Sequence, residues 1–250
     1  MLRFVLLEDQ WKRLKGLLPG KDSDPGRSAY DNRLFLEAIL WKVRVGAPWR
    51  DLPDEFGPWN SVFKRFRRWA KKGVFERIFN ALSAEPDFEY AMIDGTIIRV
   101  HQHGMGAKGG LANQAIGRSR GGLTTKIVAL VDALGNLARF ILLPGQRHDS
   151  IAAPDLIEGI DMEALLADKG FDNNRLRELL GKTETQAVIP PKADRKDRIP
   201  CDFAMYRWRH LVENFFCDLK QFRGIATRYD KTDESFAAFI FLRAIHLAIK

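Results

Sequence analysis

The 250-residue sequence predicts an α/β fold, a mixed sheet with helices against it, and an all-α region ahead of the sheet. Three observations lead there. Apolar residues recur at helical spacing through the first eighty or so residues. Tyr90–Val100 then opens a set of β-branched, apolar stretches that read as strands. Beyond Ser150, short helix-like and strand-like segments alternate, the pattern of a sheet whose later strands are joined through helices.

Taken in order, Glu8–Leu18 reads as a short amphipathic helix stopped by Pro19-Gly20. A polar loop, Lys21–Ala29, leads to Asp31, whose carboxylate suits a helix N-cap. Leu34, Leu36, Ile39, Leu40, Trp41 and Val43 follow at helical spacing until Gly46 and Pro48. A brief helix around Trp49–Phe56 and a turn at Gly57-Pro58 precede a longer helix from about Asn60 to Lys72. In that last helix Lys64, Arg65, Arg67, Arg68, Lys71 and Lys72 surround Phe63, Phe66 and Trp69, and no acidic residue interrupts them. Helices with a short turn before a basic third one outline a helix-turn-helix-like module. Residues 1–84 are therefore expected to form a helical DNA-binding domain, with Lys64, Arg65, Arg67 and Arg68 against DNA. The competing account is a solvated basic face packed by its aromatics.

Residues 85–250 are expected to form a second domain. Tyr90–Val100 is its first strand, and residues 101–123 form a basic, Gly-rich loop long enough to suggest function or mobility. Thr124–Val131 and Leu137–Leu143 read as a hairpin joined by the turn Asp132–Asn136. Helix Ser150–Ile157, strand Ala164–Ala167, helix Asn174–Leu180 and strand Gln186–Ile189 follow. Two helices close the chain, about Phe203–Arg223 and Glu234–Ile249.

Composition narrows the function classes. A hydrophobic fraction of 46% is that of a globular chain, not a disordered one. The formal net charge of +8 favours a polyanionic partner, nucleic acid first and an acidic membrane surface second. Cys201 and Cys217 stand far apart with no CxxC or His pair, which excludes a disulfide scaffold and a zinc finger and makes a reducing cytoplasm the default. The N-terminal apolar run stops at Glu8, too short for a signal peptide, and Phe236–Ile249 carries Arg243 and His246 and falls short of a bilayer span. A soluble, intracellular protein is the expectation.

Two carboxylates stand out in the strand-like stretches. Asp94 lies inside an apolar strand, a costly place for a charge unless it is paired or meets a cation. Asp168 follows the strand ALLA at the strand end where α/β folds collect ligands. Either could be structural, since a strand-end Asp often caps the next helix. In the segment after Pro200, Tyr206, Arg209, Glu213 and Lys220 are spaced to fall within roughly 60° of one another on a helix. Trp208, Leu211, Phe215, Leu219 and Phe222 lie opposite and are expected to face the core. An aligned hydroxyl, guanidinium, carboxylate and ammonium suits a metal ion and phosphates, whereas a plain solvated face with an Arg209–Glu213 pair would leave the two strand aspartates unexplained.

The segment YRWRHLVENFFCDLK, Tyr206–Lys220, resembles the Y-R-E-K signature of insertion-sequence transposases of the family-4 and family-5 groups. IDGTIIRVHQH, GRSRGGLTTKIVALVDALGN, PGQRHDS, ADKGFD, AVIPPK and IATRYDKT are similar to the family-5 pattern, and GAPWRDLPDEFGPWNSVFKRFRRW resembles the leading domain of the same group. The resemblance covers nearly the whole chain. Departures are small: Phe171 stands where Tyr is common, and GRSAYDNR replaces a version containing proline.

That resemblance implies a ribonuclease-H-like catalytic domain and two-metal DDE chemistry, with Asp94, Asp168 and Glu213 as catalytic residues holding two Mg2+ ions, for which Mn2+ would substitute. Tyr206, Arg209 and Lys220 would hold phosphates beside the metals, Arg209 bidentately and Lys220 as a point charge. Arg118, Arg120 and Lys126 are further candidates for backbone contact. His101 and His103 are tempting ligands but lack a partner. The implied partners are double-stranded DNA, both element ends and target, and further copies of the chain in a dimer or higher oligomer on DNA, with a cytoplasmic, nucleoid-associated place in a bacterium. Two alternatives remain open on the sequence: a catalytically silent DNA-binding protein derived from a transposase, and a metal-dependent nuclease that cuts without joining.

Overall fold

The computed structural model describes residues 5–21, 23–24, 31–83, 86–108, 110, 113–196 and 199–249. Parts of the polar loop at 21–29 and of the Gly-rich loop, and the junction at 84–85, lie outside the described residues. Along the chain come helices α1 (Glu8–Lys15), α2 (Asn32–Val45), α3 (Trp59–Lys71) and α4 (Val74–Leu82). Strands β1 (Tyr90–Val100), β2 (Gly117–Ser119), β3 (Gly122–Val131) and β4 (Leu137–Pro144) follow. Then come α5 (Ala153–Ile157), β5 (Ala164–Ala167), α6 (Asn174–Lys182), β6 (Gln186–Val188), α7 (Phe203–Tyr206), α8 (His210–Lys220), α9 (Arg223–Ala226) and α10 (Asp233–Ala248). Among the described residues no helix is long and apolar enough to cross a membrane.

The chain folds into two compact units. The first comprises Met1–Ala84, His101–Gly106 and Leu219–Lys250; the second comprises Glu85–Val100 and Ala107–Asp218. This division differs from the expected 1–84 and 85–250 in the placement of the closing helices. Inside the first unit, the Phe66 ring of α3 stacks on Phe239 of α10 at 4.4 Å and meets Phe75 of α4 at 5.8 Å. Arg67 Nη1 donates to Thr232 Oγ1 at 2.6 Å. Asp31 caps α2 as its sequence position suggests, accepting from the Leu34 N–H at 2.8 Å. The route from α2 to α3 is longer than a helix-turn-helix turn: residues 46–58 intervene, with 3-10 turns at Trp49–Asp51 and Asp54–Phe56. Gly46 closes α2 in the left-handed region at φ 72°.

The second unit holds the mixed sheet. β1 pairs antiparallel with β3 and parallel with β5, and β5 pairs parallel with β6. β2 and β4 pair antiparallel with β3, giving antiparallel strands on one side of β1 and parallel strands on the other. The β3–β4 hairpin is held by Asp132, whose carboxylate accepts from the Leu134 N–H at 3.0 Å and the Asn136 N–H at 2.8 Å. On one face of the sheet Ile93, Val128, Leu130, Leu165 and Ala167 pack against Ala153 and Leu156 of α5 and Leu176 and Leu180 of α6. Register puts Asp94 opposite Ala129, on the other face. A mixed sheet with helices packed on one face is the α/β class expected from the sequence.

Candidate active site

β1 and β5 run side by side with Ile93 opposite Ala167. The next residue of each chain segment is an aspartate, so Asp94, inside β1, and Asp168, just past the end of β5, follow the last pair of the parallel ladder. Local backbone groups fix both side chains. Asp94 Oδ1 accepts from the Gly95 N–H at 2.7 Å, and Asp168 Oδ1 accepts from the Gly170 N–H at 2.8 Å, starting a 3-10 turn. Burial pushes the Asp94 carboxyl above the ordinary carboxylate range; the Gly95 N–H and Arg209 oppose that shift, and the nearby Asp168 reinforces it.

Arg209 joins the aspartates' neighbourhood to the helix. Its Nη1 donates to Asp94 Oδ2 at 2.8 Å, and its Nη2 is ion-paired with Glu213 Oε1 one turn on. Burial disfavours the guanidinium charge, but Asp94, Tyr206 and Glu213 together overcome it and raise its pKa. The Tyr206 ring lies 5.7 Å from the guanidinium carbon. Asp94 is 19% exposed at its side chain and Glu213 51%, so the pair spans a half-buried floor and an open wall.

These groups test the expected metal set. Asp94 and Asp168 offer hard oxygen donors side by side, which suits Mg2+ or Mn2+. Glu213 is held one guanidinium away from Asp94, and among the described residues no three His, Cys, Asp or Glu side chains lie close enough to hold one ion. As the side chains stand, Arg209 and not a shared cation bridges Asp94 to Glu213.

The remaining candidates divide by engagement. Lys220 is exposed at the end of α8, and Arg118 and Arg120 are exposed on the β2–β3 hairpin. Lys126 is ion-paired with Asp149 at 2.7 Å and donates to the Arg147 carbonyl at 2.8 Å. On α3, Lys64 and Arg68 are exposed, but Arg65 and Arg67 are half-buried. Arg65 lies over the rings of Phe35 and Trp69 at 4.2 and 4.7 Å, and Arg67 bonds Thr232 and Ser235. Their charges serve packing within the first unit, so the basic face expected on this helix is narrower than its sequence implies. His101 and His103 form a self-capped turn, with His101 Nδ1 accepting from the His103 N–H at 3.2 Å and the His101 ring 4.8 Å from Tyr229.

Trp208 corrects the expectation that it faces the core, because its side chain is exposed. The helix expected to run unbroken from Phe203 is interrupted by a 3-10 turn at Arg207–Arg209. Three residues per turn shift the phase there, which keeps Tyr206 above Arg209 and rotates Trp208 outward. Sequence reasoning also passes over Asp149 and Asp172. Asp149 packs on Gly95, where a Cβ would meet its carboxylate at 2.7 Å. PGQRHDS and ADKGFD contain these residues, but neither carries a periodicity that sets them apart.

Residues 87–248 match the family described as "Transposase DDE domain". The chain belongs to this DDE transposase family. Residues 6–79 match a second description, "Putative transposase of IS4/5 family", which agrees with the resemblance of the leading helices. Among curated proteins, the chain is 44% identical over 103 residues to the uncharacterized protein y4sN of Sinorhizobium fredii, covering 41% of this chain and 82% of that one. It is 34% identical over 122 residues to the "Putative transposase for insertion sequence element IS6501" of Brucella ovis, covering 48% of this chain and 94% of that one. Among solved structures, a piggyBac transposase synaptic complex with hairpin DNA aligns at a TM-score of 0.42 and 12% identity, over 75% of this chain and 48% of that one.

Proposed function

We propose that this DDE transposase cleaves phosphodiester bonds at the ends of its insertion sequence and joins the freed 3′-hydroxyls to target DNA, with Asp94, Asp168 and Glu213 as the catalytic carboxylates. The observation that carries this reading is that Asp94 and Asp168 follow directly on the last pair of the β1–β5 parallel ladder, with Arg209 linking Asp94 to Glu213. Divalent cations held there, two Mg2+ ions in the expected mechanism and Mn2+ as a substitute, would activate the attacking oxygen and stabilise the leaving one. The chain's own groups supply position and charge. Tyr206, Arg209 and Lys220 lie along one helical segment, where a guanidinium and an ammonium would hold phosphates on either side of the scissile bond. Lys64, Arg68, Arg118 and Arg120 are exposed cations suited to the duplex backbone, with Arg65, Arg67 and Lys126 behind them in packing and ion pairs. Double-stranded DNA is the partner this predicts, bound by two or more copies of the chain.

The experiment is strand cleavage and strand transfer with labelled element ends, using the purified chain and its Asp94→Ala, Asp168→Ala and Glu213→Ala variants. All three are expected to lose cleavage while retaining end binding, and the parent is expected to need Mg2+ or Mn2+, with Ca2+ supporting binding only. Near-normal cleavage by any variant, or full cleavage in excess chelator, removes the assignment. Cleavage without joining would identify a nuclease, and binding without either would identify a silent DNA-binding relative.

A further inference from the structure

The sheet edge that carries Asp168 carries a second charged assembly. β5 and β6 are parallel, with Leu166 opposite Val188, so the residues after each strand emerge at the same edge. Asp168 begins one exit; Ile189-Pro190-Pro191-Lys192 forms the other. Asp172, at the far side of the Asp168 turn, is 1% exposed at its side chain and receives hydrogen bonds from both sides. Arg177 Nε donates to it at 2.7 Å, Arg195 Nε and Nη2 at 2.9 Å each, and the Lys192 N–H at 2.8 Å. Arg177 Nη2 also donates to the Ile189 carbonyl at 2.7 Å. Both ends of residues 189–195 are therefore tied to the loop that starts at Asp168. Burial alone would raise the Asp172 carboxyl, but these donors hold it down at about 2, so it stays a carboxylate throughout the working pH range.

A buried carboxylate that bridges two arginines is costly to assemble and is a weak source of net stability. It does fix geometry. The segment it fixes begins with two prolines, which stiffen it, and presents Lys192 half-exposed and Lys196 exposed, with Asp194 as its exposed carboxylate. Lys169, next to Asp168, is exposed on the adjoining turn. Ammonium groups on a preorganised backbone suit a chain of phosphates, because the cost of ordering the segment is met in folding and not in binding.

We propose that residues 190–196, locked by Asp172, form a second phosphodiester-backbone contact beside Asp168, made through Lys192 and Lys196 with Lys169, and that Asp172 is its positioning residue. This rests on the DNA transposase reading above. The test uses the full chain and a fluorescein-labelled duplex of mixed sequence, with affinity measured by anisotropy across a salt titration. The parent's log affinity is expected to fall linearly with log salt, and Lys192→Ala/Lys196→Ala to flatten that slope by about 2, near 0.9 for each phosphate that is no longer neutralised. Asp172→Asn is expected to flatten it similarly, and adding the two lysine changes to Asp172→Asn to cost no further affinity. Thermal melts run alongside separate folding from positioning. An unchanged slope in the lysine pair, which lies at the surface and needs no refolding, overturns the contact while leaving the transposase reading intact. A folded Asp172→Asn with the parent's slope overturns the positioning role alone. A parent that binds no duplex at low salt overturns the reading on which the proposal rests.

Discussion

Arg209 is the residue on which the candidate site turns. Its guanidinium sits between Asp94 and Glu213, neutralising carboxylates that must otherwise face each other or a cation. A divalent ion bound by Asp94 and Glu213 together would have to displace it, and the displaced arginine would then be available to a phosphate. Two opposite effects follow for Arg209→Ala. Removing a competing cation is expected to tighten Mn2+ binding roughly tenfold, equivalent to about 1.4 kcal/mol, as read by electron paramagnetic resonance titration. Removing a charged phosphate donor is expected to slow cleavage roughly ten- to a hundredfold, because such a bond contributes about 1.5–3 kcal/mol. Weaker Mn2+ binding in the variant would mean that Arg209 supports the ion site and does not compete for it. Asp94 stands out in the sequence because a charge inside an apolar strand is costly unless it is paired or meets a cation. Glu213 and Arg209 are legible as a spaced pair. Their bridge to Asp94 is not, since nothing in local spacing reports that residues 94 and 209 meet.

At the scale of elements, strong periodicity and hydrogen-bonding turn residues are readable, and short or phase-shifted pieces are not. β1 and β5 begin and end where their apolar runs do, and the Asp132–Asn136 turn is where the hairpin is expected. α4 escapes the sequence reading although Val74, Phe75, Ile78 and Phe79 are buried along one side of it, because Gly73 at φ 63° divides it from α3 within one continuous-looking stretch. β2 escapes it because three residues inside a Gly-rich loop carry no alternation to detect. The Asp172 clamp joins α6, the β6 exit and the Asp168 turn, and it makes these elements pH-sensitive. Its folded-state pKa of about 2 lies below the ordinary value of 3.8, so the stabilisation is complete above about pH 4 and is lost as pH falls towards 2. Asp172→Asn is expected to lower the melting temperature at pH 7 and to narrow the gap to the parent as pH falls from 5 to 2. A gap that stays constant across that range would show that the carboxylate's charge is not what joins these elements. The close approach of two helices yields a second element-scale prediction. A Cβ at Gly224 would meet the Val43 carbonyl oxygen at 2.9 Å, so Gly224→Ala is expected to destabilise the α2–α9 packing by about 1–3 kcal/mol, measurable in denaturant melts.

For the whole molecule, the chain's first and last segments belong to one folding unit, which bears on how its DNA-binding surface can be studied. The sequence encourages a boundary after α4, because helical texture gives way to strand texture there. Packing adds partners from beyond that boundary: Phe239 supplies the stacking partner of Phe66, Phe241 lies 5.5 Å from Phe79, and Thr232 and Ser235 satisfy Arg67. Lys42, buried among Trp49 and Phe239, has its pKa lowered by burial, with Asp230 opposing that shift. A fragment ending at Ser83 lacks every one of these C-terminal partners. It would leave a lysine and an arginine without their carboxylate and hydroxyl neighbours and a set of aromatic faces open to water. Such a fragment is expected to show no cooperative thermal transition by circular dichroism, whereas the same residues joined by a flexible linker to residues 219–249 are expected to melt cooperatively. The joined unit should also bind duplex DNA with a salt slope carried by exposed Lys64, Arg68, Lys71 and Lys72; Lys64→Ala/Arg68→Ala would flatten that slope by about 2, near 0.9 per phosphate. Cooperative melting of the short fragment alone would show that the N-terminal helices hold a sufficient core of their own, and that the C-terminal helices are packed onto a domain already formed.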